Sequence, residues 1–256
     1  MKRLLKYLLV LFVLVLTGVA AALTAGVAEA ARSHVGCKHV CIENESPEGA
    51  RFLPDEQVKA ELEQHFGHLY GVPLGQLDLH AIETLLDEKS AVLKSEVYVS
   101  YPDSSLHVGI RERIPILRFQ PAGGQAFYCD REGKLFPLQK NYSARVPIVD
   151  GTLPIDCWWN LTPKGAQWLE GMCSLADFLH TERKWGDRCC QIHVSRSGAV
   201  GLVFEPWEEF FIIGDCRNLE AKFQKIEQYI FSVRPQADGK KYKSVNVRFE
   251  GQIICK

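Results

Sequence analysis

The hydrophobic positions of this chain change their spacing several times, and each change marks an element. From Tyr7 to Val27 no charge interrupts the apolar run, whose only polar side chains are Tyr7, Thr17 and Thr24. About 20 apolar residues cross a bilayer's hydrocarbon core as a helix. Lys2, Arg3 and Lys6 precede the run, and cationic flanks stay on the cytoplasmic side. The pattern therefore predicts a cytoplasmic tail at 1–6, a transmembrane helix at 7–29, and export of everything that follows. A cleaved signal peptide is the competing reading, with Ala28-Glu29-Ala30 as a small-x-small cleavage site. A signal's apolar core is usually about 7–15 residues long, which favours the anchor.

Past the run, the spacing alternates between strand and helix. Residues 35–43 read as a strand, with Cys37, His39 and Cys41 on one face. A helix is predicted from Pro54-Asp55-Glu56 to Phe66, burying Val58, Leu62 and Phe66; its acidic start suits the positive end of the dipole. A second helix runs from Asp78 to Asp87, with Asp78 as N-cap and Leu79, Ile82, Leu85 and Leu86 inward. Strands follow at 92–101 and 106–113, joined by a turn at Pro102-Asp103-Ser104-Ser105.

The second half is richer in strands. Segments 116–120 and 126–129 flank Gly123-Gly124, a hairpin signal, and Arg131-Glu132-Gly133 turns into a strand at 134–138. A helix is predicted at 162–181, then strands at 189–194, 199–205 and 210–213. An amphipathic helix at 218–233 is built on Leu219, Phe223, Ile226 and Ile230. A long strand from Tyr242 to Phe249, a turn at Glu250-Gly251 and a return over 252–255 close the chain. The fold class is α+β, with units expected at 35–114 and 115–256.

Composition changes this picture little. Hydrophobic residues make up 46% of the chain and charged ones 24%, as in globular proteins, and the net charge is −1. With no basic stripe to neutralise phosphates, nucleic acid is not an expected partner. The nine cysteines have no connectivity that sequence can fix. Cys189 and Cys190 are adjacent, so a bond between them would be strained; most of the cysteines read as small core residues. Cys37, His39 and Cys41 lack a second ligand cluster to complete zinc coordination, so no metal and no cofactor is expected.

Catalytic signatures are missing too. No nucleophile elbow, phosphate loop or HExxH run occurs. Asp130, Asp150 and Asp156 read as turn-capping carboxylates rather than acid–base residues. His180 and His193 show no partner along the chain, and Trp158-Trp159 reads as core or interface rather than as a sugar platform. No catalytic residue and no small-molecule substrate is expected.

A series of short motifs runs through the chain in fixed order: Leu77-Asp78-Leu79 with Ile82 and Leu85, Val97-Tyr98-Val99, Tyr101-Pro102 and the run from Leu106 to Pro115, which ends in Arg111-Glu112-Arg113-Ile114-Pro115. Tyr128, Asp130 and Gly133 follow, then Pro147-Ile148-Val149-Asp150-Gly151, and finally Val245-Asn246-Val247-Arg248-Phe249-Glu250-Gly251. In these motifs the chain resembles the FtsQ/DivIB family of bacterial cell-division proteins. The resemblance implies a POTRA module (β-α-α-β-β) at 35–114 and a β-rich domain at 115–256.

It further implies a non-enzymatic divisome scaffold in the inner membrane at the septum. Such a scaffold binds FtsB- and FtsL-like single-span proteins through the edge of the last strand and helps recruit and regulate peptidoglycan synthases. The residues it implies for partner binding are Arg188, Val247, Arg248, Phe249, Gly251 and Ile253. Arg188 and Arg248 would meet partner carboxylates, Phe249 and Ile253 would supply apolar area, and Gly251 would let backbones approach. The alternatives are an exported cell-wall enzyme and a POTRA-type assembly or transport factor. The latter would need a lipid-facing β-barrel, whose alternating strands are not seen.

Overall fold

The computed structural model describes residues 12, 14–20, 34–46, 51–139, 142–155, 159, 161–236 and 242–256. Of the predicted span at 7–29, residues 12 and 14–20 are helical and exposed. The rest of it, with 1–6 and Ala28-Glu29-Ala30, lies outside the described residues. Among the described residues no helix is long and apolar enough to cross a membrane. The chain divides into two compact units between Glu112 and Arg113.

The first unit runs β1 (His39–Asn44), α1 (Asp55–Phe66), α2 (Leu79–Asp87), β2 (Val92–Ser100) and β3 (Ser105–Glu112). β3 is central, parallel to β1 and antiparallel to β2. Alternation along β3 turns Leu106, Val108 and Ile110 toward Val58 and Leu62 of α1 and Ile82 and Leu86 of α2. Asp78 caps α2 as predicted, its carboxylate accepting from the Ala81 N–H at 3.0 Å. Asp55 and Glu56 occupy the first turn of α1.

Two expectations fail in this unit. Phe66 is 37% exposed rather than buried: it ends α1, just before the chain turns away through Gly67 at φ 75°. Cys37 does not share a strand face with His39 and Cys41. It precedes β1 and is buried in the core, with its thiol donating to the His39 carbonyl at 3.3 Å. Among the described residues no His, Cys, Asp or Glu cluster can hold a metal ion.

The second unit contains β4 (Pro115–Pro121), β5 (Phe127–Asp130), β6 (Leu135–Pro137), β7 (Ile148–Gly151), α3 (Pro163–Thr181), α4 (Arg183–Gly186), β8 (Cys189–Val194), β9 (Val200–Phe204), β10 (Phe210–Gly214), α5 (Leu219–Gln228), β11 (Ser244–Asn246) and β12 (Ile254–Cys255). Among the described residues its strands join one sheet of nine, in the order β12-β11-β10-β9-β8-β7-β4-β5-β6. Strands joined by short turns (β4–β5, β5–β6, β8–β9, β9–β10 and β11–β12) pair antiparallel, whereas β4–β7, β7–β8 and β10–β11 are parallel. Each of these parallel contacts follows a longer connection, as a parallel return requires. α3 and α5 cover one face, where Leu169, Met172, Leu175, Phe223 and Ile226 meet Phe119, Ile192, Leu202 and Phe211. Thr162 caps α3 by accepting from the Gly165 N–H at 3.1 Å.

The predicted long strand at 242–249 is not formed. Regular pairing is confined to Ser244–Asn246, because its neighbour β10 has only Phe210–Gly214 to offer and the register starts at Phe210 opposite Ser244. β10 then turns away at Gly214, φ 80°. The predicted helix at 218–233 is likewise shorter. α5 closes at Gln228 and gives way to a π-helical turn, Tyr229–Val233.

Candidate functional site

The end of the sheet is built by the last fifteen residues. β11 lies parallel to β10, and β12 folds back antiparallel on it, with Val245 opposite Cys255 and Asn246 opposite Ile254. Ser244 and Lys256 exchange both backbone bonds, at 3.0 Å each. Antiparallel pairs alternate between bonded and unbonded, so the N–H and C=O of Cys255 point outward from the sheet. Among the described residues the open edge at this end of the sheet is therefore β12, not the strand before it. Ile254 is 37% and Phe249 42% exposed beside it.

The connection between β11 and β12 is held from below by α5. The Lys225 ammonium donates to the Val247 carbonyl and, at 2.6 Å, to the Phe249 carbonyl. Burial lowers its pKa. Replacing Lys225 by Met keeps the aliphatic stem but leaves both carbonyls without this donor. Amide exchange over 249–255 is expected to speed up by roughly tenfold, while the α3 amides hold their protection. Equal exchange in variant and wild type would rule out this anchoring role.

The implied partner-binding residues do not all meet at this edge. Arg248 and Phe249 are exposed neighbours, the guanidinium 4.5 Å from the ring centroid, a cation–π distance. The Arg248 stem packs on Gly214, whose missing side chain gives it room. Gly251, at φ 65°, makes the turn into β12, and Ile253 packs its side chain partly into the core. Val247 must be removed from the set. It is 0% exposed, its N–H donates to Ile212 at 2.9 Å and Lys225 takes its carbonyl. Strand alternation turned it inward with Val245.

Arg188 is also apart from the edge. It precedes β8, four strands in from β12, which at ~4.8 Å per strand is about 19 Å. Its guanidinium lies 5.2 Å over the Trp207 ring. With Arg145, Asp187, Cys190 and Glu205 it lines a cleft of 520 Å³.

Near the Gly214 turn, Asp215 gathers Lys222 at 2.6 Å and Arg217 at 2.6 and 2.9 Å. Burial would raise its carboxyl, but these hydrogen bonds outweigh that and hold it well below the usual carboxylate range. The network fixes the start of α5, and so the helix that carries Lys225.

The three aspartates divide. Asp130 is a turn cap as predicted: one oxygen accepts from the Glu132 and Lys134 N–H groups at 3.0 and 2.8 Å, and the other takes Arg113 at 2.6 Å. Asp150 is not. It lies within β7 and accepts from Gln191 at 2.7 Å, with His193 Nδ1 also at 2.7 Å. His193 thus has a partner that the linear sequence could not show, because the parallel β7–β8 register places Asp150 opposite it. Asp156 and Trp158 lie outside the described residues. Trp159 packs against Phe127 with centroids 5.1 Å apart, in keeping with the core reading.

A mixed α+β chain whose larger sheet ends in an open, apolar-flanked edge is the class these observations define. Residues 114–256, more than half of the chain, match the family model described as FtsQ/DivIB, C-terminal related, and the chain belongs to this family. The match covers almost the whole second unit, and it makes this a cell-division protein. A search of curated proteins finds no match.

Proposed function

We propose that this protein is a non-enzymatic scaffold of the bacterial divisome. In this reading the helix at 7–29 anchors it once in the inner membrane, with the N-terminus cytoplasmic and both units outside the cytoplasm at the septum. The β-α-α-β-β order of the first unit supports a POTRA module. The uncharged run from Tyr7 to Val27 supports the anchor. The second unit takes FtsB- and FtsL-like single-span proteins and so helps recruit and regulate septal peptidoglycan synthesis.

The observation that carries the reading is the open edge of β12. An unpaired edge offers backbone donors and acceptors to which an extended segment adds as a further strand. Arg248, Phe249 and Ile254 flank it with charge and apolar area, Ile253 and Gly251 shape the turn, and Arg188 offers a separate contact further along the sheet. Tethering to the same membrane raises the partners' effective concentration, so a modest strand contact can hold.

The test is co-purification of the full-length protein with FtsB- and FtsL-like partners. Cys255→Pro removes an outward N–H and leaves the Ser244–Lys256 bonds in place, so it blocks strand addition without unpairing β12. Cys255→Pro, Phe249→Ala and Arg248→Glu are each expected to weaken capture by roughly tenfold or more, about the value of one lost interaction. Full-strength capture by all three would show the interface to be elsewhere.

A further inference from the structure

Cys129 on β5 and Cys173 on α3 bring their sulfurs to 3.9 Å, 44 residues apart in the chain. Both are free thiols. The helix and strand that carry them are already tied one turn further on, where Arg131 Nε donates to Asp177 at 2.7 Å. We propose that Cys129 and Cys173 form a disulfide site, closed by a thiol–disulfide donor, that staples α3 to the sheet.

The geometry sets the order of events. Cys129 is 0% exposed and Cys173 only partly buried, so an external reagent reaches Cys173 first. The two sulfurs share a contact in which either can donate, and the Cys129 S–H also has the Asp130 carbonyl at 3.3 Å as an acceptor. The contact with Cys129 lowers the Cys173 thiol and so favours loss of the first proton there, while that contact and burial push the Cys129 thiol up. Asp177, Asp130 and Glu170 oppose ionisation of Cys173, and Arg131 and Arg113 offset two of these carboxylates.

The Cys173 thiolate attacks a sulfur of the donor, which is a disulfide-form oxidoreductase or oxidised glutathione. The donor's S–S bond breaks, a mixed disulfide forms at Cys173, and one donor thiolate leaves. Cys129 then gives up its proton and displaces the second donor sulfur from Cys173. The two cysteines have lost two electrons and two protons, and the donor disulfide has become two thiols. Closing the bond brings the sulfurs about 1.9 Å nearer, to the ~2.05 Å of a disulfide.

The other described cysteines are placed differently. Cys189 and Cys190 alternate across β8, one buried and one exposed. Cys216 lies against Met172, sulfur to sulfur at 4.0 Å. In the cell the pair meets a donor only in an oxidising compartment, so its closure there rests on the exported placement proposed above.

The full-length protein, equilibrated with oxidised glutathione and acid-quenched, is blocked with N-ethylmaleimide and digested without reductant. Mass spectrometry is expected to find the peptides of Cys129 and Cys173 joined and two hydrogens lighter than their sum. Reduction should lower the Tm of the second unit by roughly 5–10 °C in wild type and leave Cys173→Ser unmoved. Cys173 carrying glutathione while Cys129 remains a thiol, or Cys173 joined to a different cysteine, would overturn the site. Protein that closes with glutathione but is found reduced on direct blocking in cells would overturn the exported placement instead.

Discussion

Gly151→Ala is expected to destabilise the second unit by about 4 kcal/mol. Gly151 ends β7 at φ 96°, a region that side chains rarely adopt, and holding a non-glycine residue there costs roughly 1–3 kcal/mol. A Cβ at this position would also lie 2.1 Å from the Val194 carbonyl oxygen. That oxygen cannot withdraw freely, since it accepts from the Thr152 N–H at 2.8 Å. Parting the strands to make room adds about 1–3 kcal/mol of overpacking. The distortion falls next to the Asp150–His193 pair, so the His193 ring resonances should shift with it. Urea unfolding checks the magnitude, and a loss under about 1 kcal/mol would mean that β7 and β8 can separate there at little cost.

The second large effect lies in the first unit. Glu112 is 1% exposed at the end of β3, and its carboxylate accepts from the Leu53 and Phe52 N–H groups at 2.7 and 2.9 Å. Its own N–H donates to Ser46 at 2.8 Å. One side chain thus satisfies the backbone just before α1 and orders the segment that leads into it. Glu112→Ala leaves both donors buried without this acceptor, and each costs about 1–3 kcal/mol, so a loss of about 3 kcal/mol is expected. Glu112→Gln keeps a carbonyl oxygen and should lose about half as much. Hydrogen exchange at Phe52, Leu53 and the start of α1 should rise in the same order. Equal stability of all three proteins would show that water reaches these amides.

Both positions belong to motifs that carry the family resemblance, and the structure shows what those motifs do. Glu112 anchors a segment 60 residues earlier in the chain. Tyr128 accepts from the Ala144 N–H at 3.0 Å, Asp130 caps the β5–β6 turn and Gly133 completes it at φ 79°. These residues make long-range or turn contacts that hold the fold, and none of them lies at the β12 edge. These motifs therefore locate the family without locating its contact surface, which among the motif runs only 245–251 borders.

Local order was legible because it depends on near neighbours. The four-residue spacing of Val58 and Leu62, the Asp78 and Thr162 caps, and the alternation through Leu106, Val108 and Ile110 all report which side of an element is dry, and each is satisfied within a few residues. The edge was not legible in this way. Whether residues 242–249 form a long strand depends on how far β10 runs beside them, and Gly214 ends it. Whether that strand is an edge depends on β12 folding back over it. Val247 faced inward and Arg188 fell four strands from the edge because sheet order, unlike sequence order, is set by which surfaces bury each other. His193 met Asp150 and Cys129 met Cys173 for the same reason: side chains more than 40 residues apart are brought together by packing, and no spacing along the chain encodes that.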